Sequence, residues 1–188
     1  MKVFFGGSLI GFNKNRDLYL GIRNEIVKQG NILTRDWVME EIKGVVTKTS
    51  DMMVLTKKAI ESSDAVIIES TNSVAAVGLQ INFSIERGLP TLVLIQKDVS
   101  ETELLESYFI EEKYHKFIKV EKYDIDSLED VISNFLYWAR TNRTIVRFNL
   151  EIQRDQDEYL KALAVKHRSN KSEEIRRLIS EAMVVEKK

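Results

Sequence analysis

The first 140 residues alternate between two hydrophobic patterns. Short apolar runs are typical of buried parallel strands, and between them apolar residues recur every three or four positions, as on one face of a helix. The runs KVFF, NILT, DAVIIES, TLVLIQ and FIKVEKY are the predicted strands, at residues 2–5, 31–34, 64–70, 91–96 and 117–123. Helices are predicted over residues 15–29, 51–62, 77–87 and 126–139. Repeated strand–helix units predict an α/β fold with a parallel sheet and helices on both faces.

The pattern changes after residue 140. The polar segment ARTNRT, residues 139–144, has no periodicity and is the predicted linker between domains 1–140 and 145–188. After it, TIVRFNLEI alternates apolar and polar residues up to Ile152, which predicts a strand with one wet face. Two helices follow, over residues 155–168 and 171–184, and Asn170-x-x-Glu173 is typical of a capping box that opens the second one.

A strand followed by two short helices is too small to hold a good core alone. Two copies become stable together if their strands pair into an antiparallel ribbon and their helices intertwine. The segment RFNLEIQRDQDEYLKALAVKHRSNKSEEIRRLISEAM, which begins at Arg147, resembles the ribbon-helix-helix DNA-binding proteins of the Arc and CopG type along its whole length. The resemblance implies a homodimer that binds double-stranded DNA, with pairing into a tetramer on adjacent half-sites.

The resemblance assigns individual residues to DNA. The polar ribbon residues Arg147, Asn149 and Glu151 would enter the major groove and contact base edges, which suits their hydrogen-bonding chemistry. The start of the second helix would contact a backbone phosphate through Asn170, Lys171 and Ser172. Glu151 departs from the basic or neutral residue that this ribbon often has, so it either specifies cytosine or weakens binding. The alternative for this segment is a dimerisation ribbon that does not bind DNA.

Composition excludes several classes of protein. The chain of 188 residues has no cysteine, which excludes disulfides and thiolate chemistry. His115 and His167 are its two histidines, so we expect neither a histidine-based metal site nor a Ser-His-Asp triad, and no cofactor. No apolar run approaches the ~20 residues of a membrane helix, and MKVFFGGSLIG lacks the features of a signal peptide. We therefore expect a cytoplasmic protein without a membrane partner.

The net charge of −1 hides an asymmetry between the two parts of the chain. From Arg143 onward there are 11 basic and 8 acidic residues, a balance of +3, which leaves 17 basic and 21 acidic residues before it. A basic tail on an acidic body favours a nucleic-acid partner for the tail.

Two segments of the body carry a second resemblance. The segments FFGGSLIGFNKNRDLYLGIRNEIVKQGNILTRDW and SDAVIIESTNSVAAVGLQINFSIERGLPTLVL are similar to the 2′-deoxynucleoside 5′-monophosphate N-glycosidases of the nucleoside 2-deoxyribosyltransferase superfamily. This resemblance implies a flavodoxin-like sheet that binds a nucleotide at the carboxyl ends of its strands. It also implies a carboxylate nucleophile that attacks C1′ of the deoxyribose, assisted by a second acid.

Within the resemblance, the residues that would carry the chemistry are missing. Gly7 and Ser8 match the family, and Ala76-Val77-Gly78 stands at its Gly-Val-Gly-type turn. The residues at the positions of the nucleophile, the second acid, a phosphate-binding serine and an arginine are Gln80, Thr56, Val74 and Ile10. Because an amide is a poor nucleophile without a titratable proton, the sequence predicts a degenerate, non-catalytic domain.

Three further residues are candidates for the ligand pocket, and each has a structural alternative. Glu69 ends a predicted strand and is either a substitute nucleophile or an acceptor for loop amides. Asp36 and Trp37 follow the second strand, and Trp37 either stacks on a base or caps the core. At Gly78 and Gly88, we expect glycine to serve the backbone geometry and not a ligand contact.

The two resemblances lead to one main hypothesis and two alternatives. The main hypothesis is a homodimeric DNA-binding transcriptional regulator whose body senses a nucleotide or related small molecule. The first alternative is an active deoxynucleotide N-glycosidase or deoxyribosyltransferase with altered acids. The second is a partner-binding module, such as an antitoxin whose body neutralises another protein.

Overall fold

The computed structural model describes residues 1–45, 49–72, 75–98, 116–142 and 150–185. The chain divides into two compact units, here called the N-terminal unit (Met1–Val146) and the C-terminal unit (Arg147–Lys188). Within the described ranges, no helix is long and apolar enough to cross a membrane.

Five parallel strands form the sheet of the N-terminal unit, in the order β2-β1-β3-β4-β5. All four neighbouring pairs are parallel, with Val3 opposite Leu33 on one side of β1 and opposite Ala65 on the other. This is the strand order of flavodoxin-like folds, and the predicted fold class is confirmed. The strands are β1 (Lys2–Gly6), β2 (Ile32–Leu33), β3 (Ala65–Glu69), β4 (Thr91–Gln96) and β5 (Ile118–Tyr123).

Helices cover both faces of this sheet, because alternate residues of each buried strand are apolar on both sides. In β1, Val3 and Phe5 belong to one core, while Phe4 belongs to the other. The first core contains residues of α1 (Phe12–Lys28), α2 (Trp37–Ile42) and α5 (Leu128–Thr141). The second contains residues of α3 (Thr49–Glu61) and α4 (Ala75–Glu86).

Most element boundaries agree with the sequence pattern to within two residues, although α1 begins at Phe12, three residues before its predicted start. Helix α2 lies in the region 36–50, where the pattern predicted no element. Helix α5 continues through Thr141, so the linker predicted from residue 139 begins too early. The reason is packing, since Leu136 and Ala139 are buried in the first core and Trp138 packs against it. Gly30, with a φ of 75°, directly follows Gln29, the C-cap residue of α1.

The C-terminal unit contains two helices, α6 (Arg154–His167) and α7 (Lys171–Val185), at the predicted positions. The capping box is present, with the Glu173 amide donating to Asn170 Oδ1 at 3.0 Å and the Asn170 amide donating to Glu173 Oε2 at 3.2 Å. The predicted strand does not extend over residues 150–152, which lie outside helix and strand in the single chain. Residues 143–149 lie outside the described residues, so the ribbon stays a prediction.

Candidate functional site

The candidate site of the N-terminal unit is the carboxyl edge of the sheet between β1 and β3. The chain leaves β1 toward α1 on one face and leaves β3 toward α4 on the other, so the two connections diverge there. Such a divergence is where open parallel sheets bind ligands. The loop after β1, Gly6-Gly7-Ser8, and the end of β3, Glu69-Ser70-Thr71, meet at this edge.

Side chains of three helices hold the loop after β1. Each donates a hydrogen bond to one backbone carbonyl: Trp37 Nε1 to Phe5 at 2.8 Å, Gln80 Nε2 to Gly7 at 3.2 Å and Tyr19 Oη to Ser8 at 3.1 Å. The Ser8 hydroxyl is buried and accepts from the Ile10 amide at 3.1 Å, within its own loop. The structure therefore brings Gly7, Ser8 and Gln80 to one edge, and their polar groups are engaged by other groups of the chain.

The Gln80 side chain holds the loop after β1 in place. Its side chain is 9% exposed, and its amide lies so close to the Gly6 Cα that a Cβ at this position would collide with Oε1. Oε1 is buried and has no hydrogen-bond partner among the described residues. Rotating the amide by 180° would place that oxygen against the Gly7 carbonyl, so the donor must face Gly7. The residue at the expected nucleophile position thus supplies a proton donor to the backbone.

Glu69 is a buried carboxyl group with neutral partners. It is 1% exposed, and its Oε1 accepts from the Thr71 amide at 3.1 Å and from the Tyr123 hydroxyl at 3.3 Å. Burial raises the pKa of Glu69, because the charged form loses hydration, although these donors oppose the shift. The structure supports the loop-acceptor alternative for Glu69, and in this conformation its carboxyl group is enclosed by its own chain.

Two tyrosines that the sequence pattern did not identify complete this cluster. Burial and the nearby charge of Glu69 raise the pKa of Tyr19 to about 12. The same two causes, in the same order, raise the pKa of Tyr123. Tyr123 is the last residue of β5, so its position at the carboxyl edge was a signal available in the sequence. Tyr19 gives no such signal, because it belongs to the ordinary apolar face of α1.

Asp36 and Trp37 are both used by the fold. The Trp37 ring is 6% exposed and packs among three aromatic rings, with its centroid 5.2 Å from that of Tyr19 in an edge-to-face arrangement. Asp36 caps α2 by accepting from the Met39 amide, and its Oδ2 is 2.6 Å from Arg23 Nη2. The structure supports the core alternative for Trp37.

The other resemblance positions differ in their surroundings. Thr56 is buried and accepts from Arg35 at 3.4 Å, while the same guanidinium group pairs with Glu40 at 2.6 Å. Ile10 is 72% exposed, and Val74 lies outside the described residues. Gly78 is exposed within α4, has no positive φ, and a Cβ there would meet nothing within 4 Å. The backbone role predicted for Gly78 is therefore wrong, whereas Gly88 has a φ of 60° after α4.

Comparisons with known proteins identify the fold of the N-terminal unit. No protein-family model matches the chain, and no curated protein is significantly similar to it in sequence. Among solved structures, the chain is similar to the CMP N-glycosidase BcmB of Clostridium botulinum, with a TM-score of 0.51 and 11% sequence identity. The similarity covers 71% of this chain and 99% of that one. At this identity the similarity shows the fold alone.

The C-terminal unit has a second candidate site at the start of α7. Of the residues assigned to DNA, Arg147 and Asn149 lie outside the described residues, and Glu151 is exposed. Asn170 is the N-cap described above, and the side chains of Lys171 and Ser172 are exposed beside it. The Lys171 ammonium lies 2.6 Å from Asp157 Oδ1 of α6.

A buried carboxylate fixes the turn between α6 and α7. Glu174 is 2% exposed and accepts from the Ser169 hydroxyl, while its Oε2 lies 3.0 Å from His167 Nδ1 and 2.9 Å from Arg177 Nε. The Ser169 hydrogen bond first, and then His167 and Arg177, hold the pKa of Glu174 at about 2. No motif in the sequence predicts this cluster, which forms only when the two helices fold back on each other.

An apolar groove lies along the C-terminal unit, outlined by Leu150 and Ile152 before α6 and by residues of both helices. Its floor includes Leu160, which is buried, while Leu150 and Ile179 are each about half exposed. The helical residues that line it are Asp155, Gln156, Tyr159, Leu160, Ile175, Leu178 and Ile179.

Proposed function

We propose that the protein is a homodimeric, sequence-specific DNA-binding transcriptional regulator, in which the N-terminal unit is a non-catalytic relative of the N-glycosidase fold. The observation that carries this proposal is the apolar groove of the C-terminal unit. Two helices with one largely exposed apolar face are too small to be stable alone. A second copy of the unit would cover both grooves through one two-fold symmetric contact.

The position of the groove supports a ribbon as the partner element. Leu150 and Ile152 stand at alternate positions of the predicted strand and line the groove, whereas Glu151 between them is exposed but also borders it. This alternation is what a ribbon requires when its apolar side faces the helices and its polar side faces a DNA groove. Arg147 and Asn149 continue the polar side in the sequence.

Gln80 supports the non-catalytic assignment of the N-terminal unit. Its amide donates to the Gly7 carbonyl, so the position of the expected nucleophile serves the loop after β1. Glu69 is enclosed by Tyr123 and the Thr71 amide and does not replace it. In this proposal the N-terminal unit retains the fold as a sensor of a nucleotide or related small molecule, or as a support for assembly.

The proposal is tested by comparing two charge insertions in the C-terminal unit. Leu178→Asp places a carboxylate in the groove, and Val165→Asp places one at a site on α6 that is 81% exposed. We expect wild type and Val165→Asp to be dimers by light scattering and to select specific fragments from a genomic pool. Leu178→Asp should be monomeric and should lose specific binding. Monomeric wild type, or specific binding by monomeric Leu178→Asp, would refute the dimeric regulator.

The second candidate function is an active N-glycosidase, and the fold similarity to a CMP N-glycosidase favours it. The discriminating assay measures base release from CMP and from deoxynucleoside monophosphates by chromatography. We expect no release by wild type. Turnover that persists through purification and disappears in Glu69→Gln would establish this candidate and assign Glu69 as the replacement acid.

A further inference from the structure

One carboxylate in the C-terminal unit binds two lysines from different helices. Asp157 Oδ2 lies 2.7 Å from the Lys161 ammonium of α6, and its Oδ1 lies 2.6 Å from the Lys171 ammonium of α7. The two cations therefore use the two different oxygens of a single anion. They lie close enough that, without an anion between them, they would repel each other.

The three groups leave one positive charge that is open to solvent. The side chains of Lys161 and Lys171 are 61% and 48% exposed, and that of Asp157 is 28% exposed. Exposed ion pairs are weak and exchange partners readily. A phosphodiester presents two free oxygens on one anionic centre, as a carboxylate does, so it can take the place that Asp157 occupies.

The surroundings of the pair suit a phosphate of the DNA backbone. Lys171 is the first residue of α7, where the helix dipole favours an anion and the Ser172 hydroxyl is exposed. Two carboxylates share this helix end, but both are engaged: Glu173 accepts from the Asn170 amide, and Glu174 is buried against the Ser169 hydroxyl. The lysine pair is thus the outward-facing cationic group at this end of α7.

We propose that Lys161 and Lys171 form a clamp for one DNA backbone phosphate, and that Asp157 occupies this clamp in the free protein as an internal competitor. This inference rests on the proposed DNA-binding function and adds two residues, Lys161 and Asp157, that the ribbon-helix-helix resemblance does not assign. The clamp holds both lysines in place for the phosphate, while Asp157 lowers the affinity for DNA of any sequence.

The test uses Asp157→Asn with Glu158→Gln as its matched control. Both changes remove one carboxylate from α6, and Glu158 pairs with Arg154 at 3.3 Å as Asp157 pairs with its lysines. Binding of the full-length dimer to a random-sequence duplex is measured by fluorescence anisotropy at several salt concentrations. A general effect of net charge would change the DNA affinity of both variants equally. Freeing the two lysines of the clamp would change the affinity of Asp157→Asn alone.

We expect Asp157→Asn to bind the duplex more tightly than Glu158→Gln, because no carboxylate then has to be displaced from the clamp when DNA binds. One additional phosphate contact changes the slope of log K against log salt by about 0.9, or roughly three- to fourfold in affinity between 50 and 200 mM salt. Lys161→Met should lower the slope of wild type by a similar amount. In a Lys161→Met, Lys171→Met background, Asp157→Asn should have no effect beyond that of Glu158→Gln.

Equal behaviour of Asp157→Asn and Glu158→Gln, or an unchanged slope in Lys161→Met, would overturn the clamp while leaving a DNA-binding wild type as the proposed regulator. Failure of the wild-type dimer to bind any duplex would overturn both. Retention of the dimer, checked by light scattering, and of helicity, checked by circular dichroism, shows that each surface variant is folded.

Discussion

Glu69 in the N-terminal unit and Glu174 in the C-terminal unit are both nearly inaccessible, at 1% and 2% exposure, yet their pKa values shift in opposite directions. The donors to Glu69 are a backbone amide and a tyrosine hydroxyl, so burial dominates and the neutral form gains. Glu174 has Arg177 and His167 beside it as well as a serine hydroxyl, so the charged form gains. Glu69 lies deep in a five-stranded domain and Glu174 in a two-helix unit, so the opposite pKa directions reflect both the stronger desolvation of Glu69 and the charged partners of Glu174.

The same contrast distinguishes the two candidate sites. At the carboxyl edge of the sheet, polar groups are buried and bind one another. These hydrogen bonds stabilise the loop after β1 and leave few polar groups to contact a substrate. In the C-terminal unit, the carboxylates pair with cations that remain partly exposed, as the proposed DNA-binding surface requires.

The largest expected effect comes from adding a second carboxyl group at the carboxyl edge of the sheet, where Glu69 has neutral partners. Gln80→Glu removes the donor to the Gly7 carbonyl and buries an anion beside that oxygen. We expect a loss of about 3 kcal/mol or more in the free energy of unfolding, and no gain of glycosidase activity. Tryptophan fluorescence reports on this unit alone, because Trp37 and Trp138 are the two tryptophans of the chain.

Gln80→Met is the size-matched control for that substitution. It loses the same donor without adding charge, so it should be clearly less destabilising in the same urea titration. A Gln80→Glu protein that is as stable as wild type and releases base would show that the edge is a dormant active site.

A smaller effect is expected when Glu69 loses a neutral partner. Tyr123→Phe removes the hydroxyl that donates to Glu69 Oε1 at 3.3 Å and leaves the ring in the core. We expect a loss of about 1–3 kcal/mol, because a buried acceptor loses a donor. Tyr137→Phe is the control, since Tyr137 is 70% exposed. Equal stabilities of the two variants would mean that the Tyr123 hydroxyl contributes nothing.

Glu69→Gln tests the comparison of the two buried carboxyl groups through the pH dependence of stability. The pKa of Glu69 is raised in the folded state above its unfolded value of 4.5. As pH rises above 4.5, the unfolded chain ionises more readily than the folded protein, so the folded state loses stability until the pH exceeds the raised pKa. We expect Glu69→Gln to stabilise the N-terminal unit at pH 7 and to lose that advantage near pH 4. Fluorescence-monitored unfolding across this range would contradict the assignment if the difference from wild type were independent of pH.

Glu174→Gln should show the opposite pH dependence to Glu69→Gln, and the smallest effect on stability. The pKa of Glu174 is lowered to about 2, so its stabilising effect is present above the unfolded value of 4.5 and is lost as pH falls toward 2. We expect the variant to reduce amide-exchange protection around the α6–α7 turn at pH 7 but not near pH 2.

Glu181→Gln is the control for this prediction, because Glu181 pairs with the same arginine from an exposed position. If both variants lost equal protection, the effect would belong to Arg177 and not to the buried Glu174 carboxylate.

Periodicity predicted the parallel strands and most helices because local spacing determines which face of each element is apolar. It missed α2, which is held by the burial of Trp37 and Val38, and the last two residues of α5, Arg140 and Thr141. The grouping of Gly7, Ser8 and Gln80 was also accessible from the sequence, through the family resemblance. The capping box of α7 was accessible because it depends on two residues three positions apart.

The sequence by itself determined the α/β order of the N-terminal unit, the helix pair of the C-terminal unit and the absence of a carboxylate at position 80. Only the tertiary structure decided what those residues do. It turned Gln80 toward the Gly7 carbonyl, placed Tyr19 and Tyr123 at the edge where Glu69 lies, and joined Lys161 and Lys171 through Asp157. Hydrogen bonds and ion pairs between distant residues depend on distances of a few ångströms that only the packed elements set, and a local pattern contains no such distances.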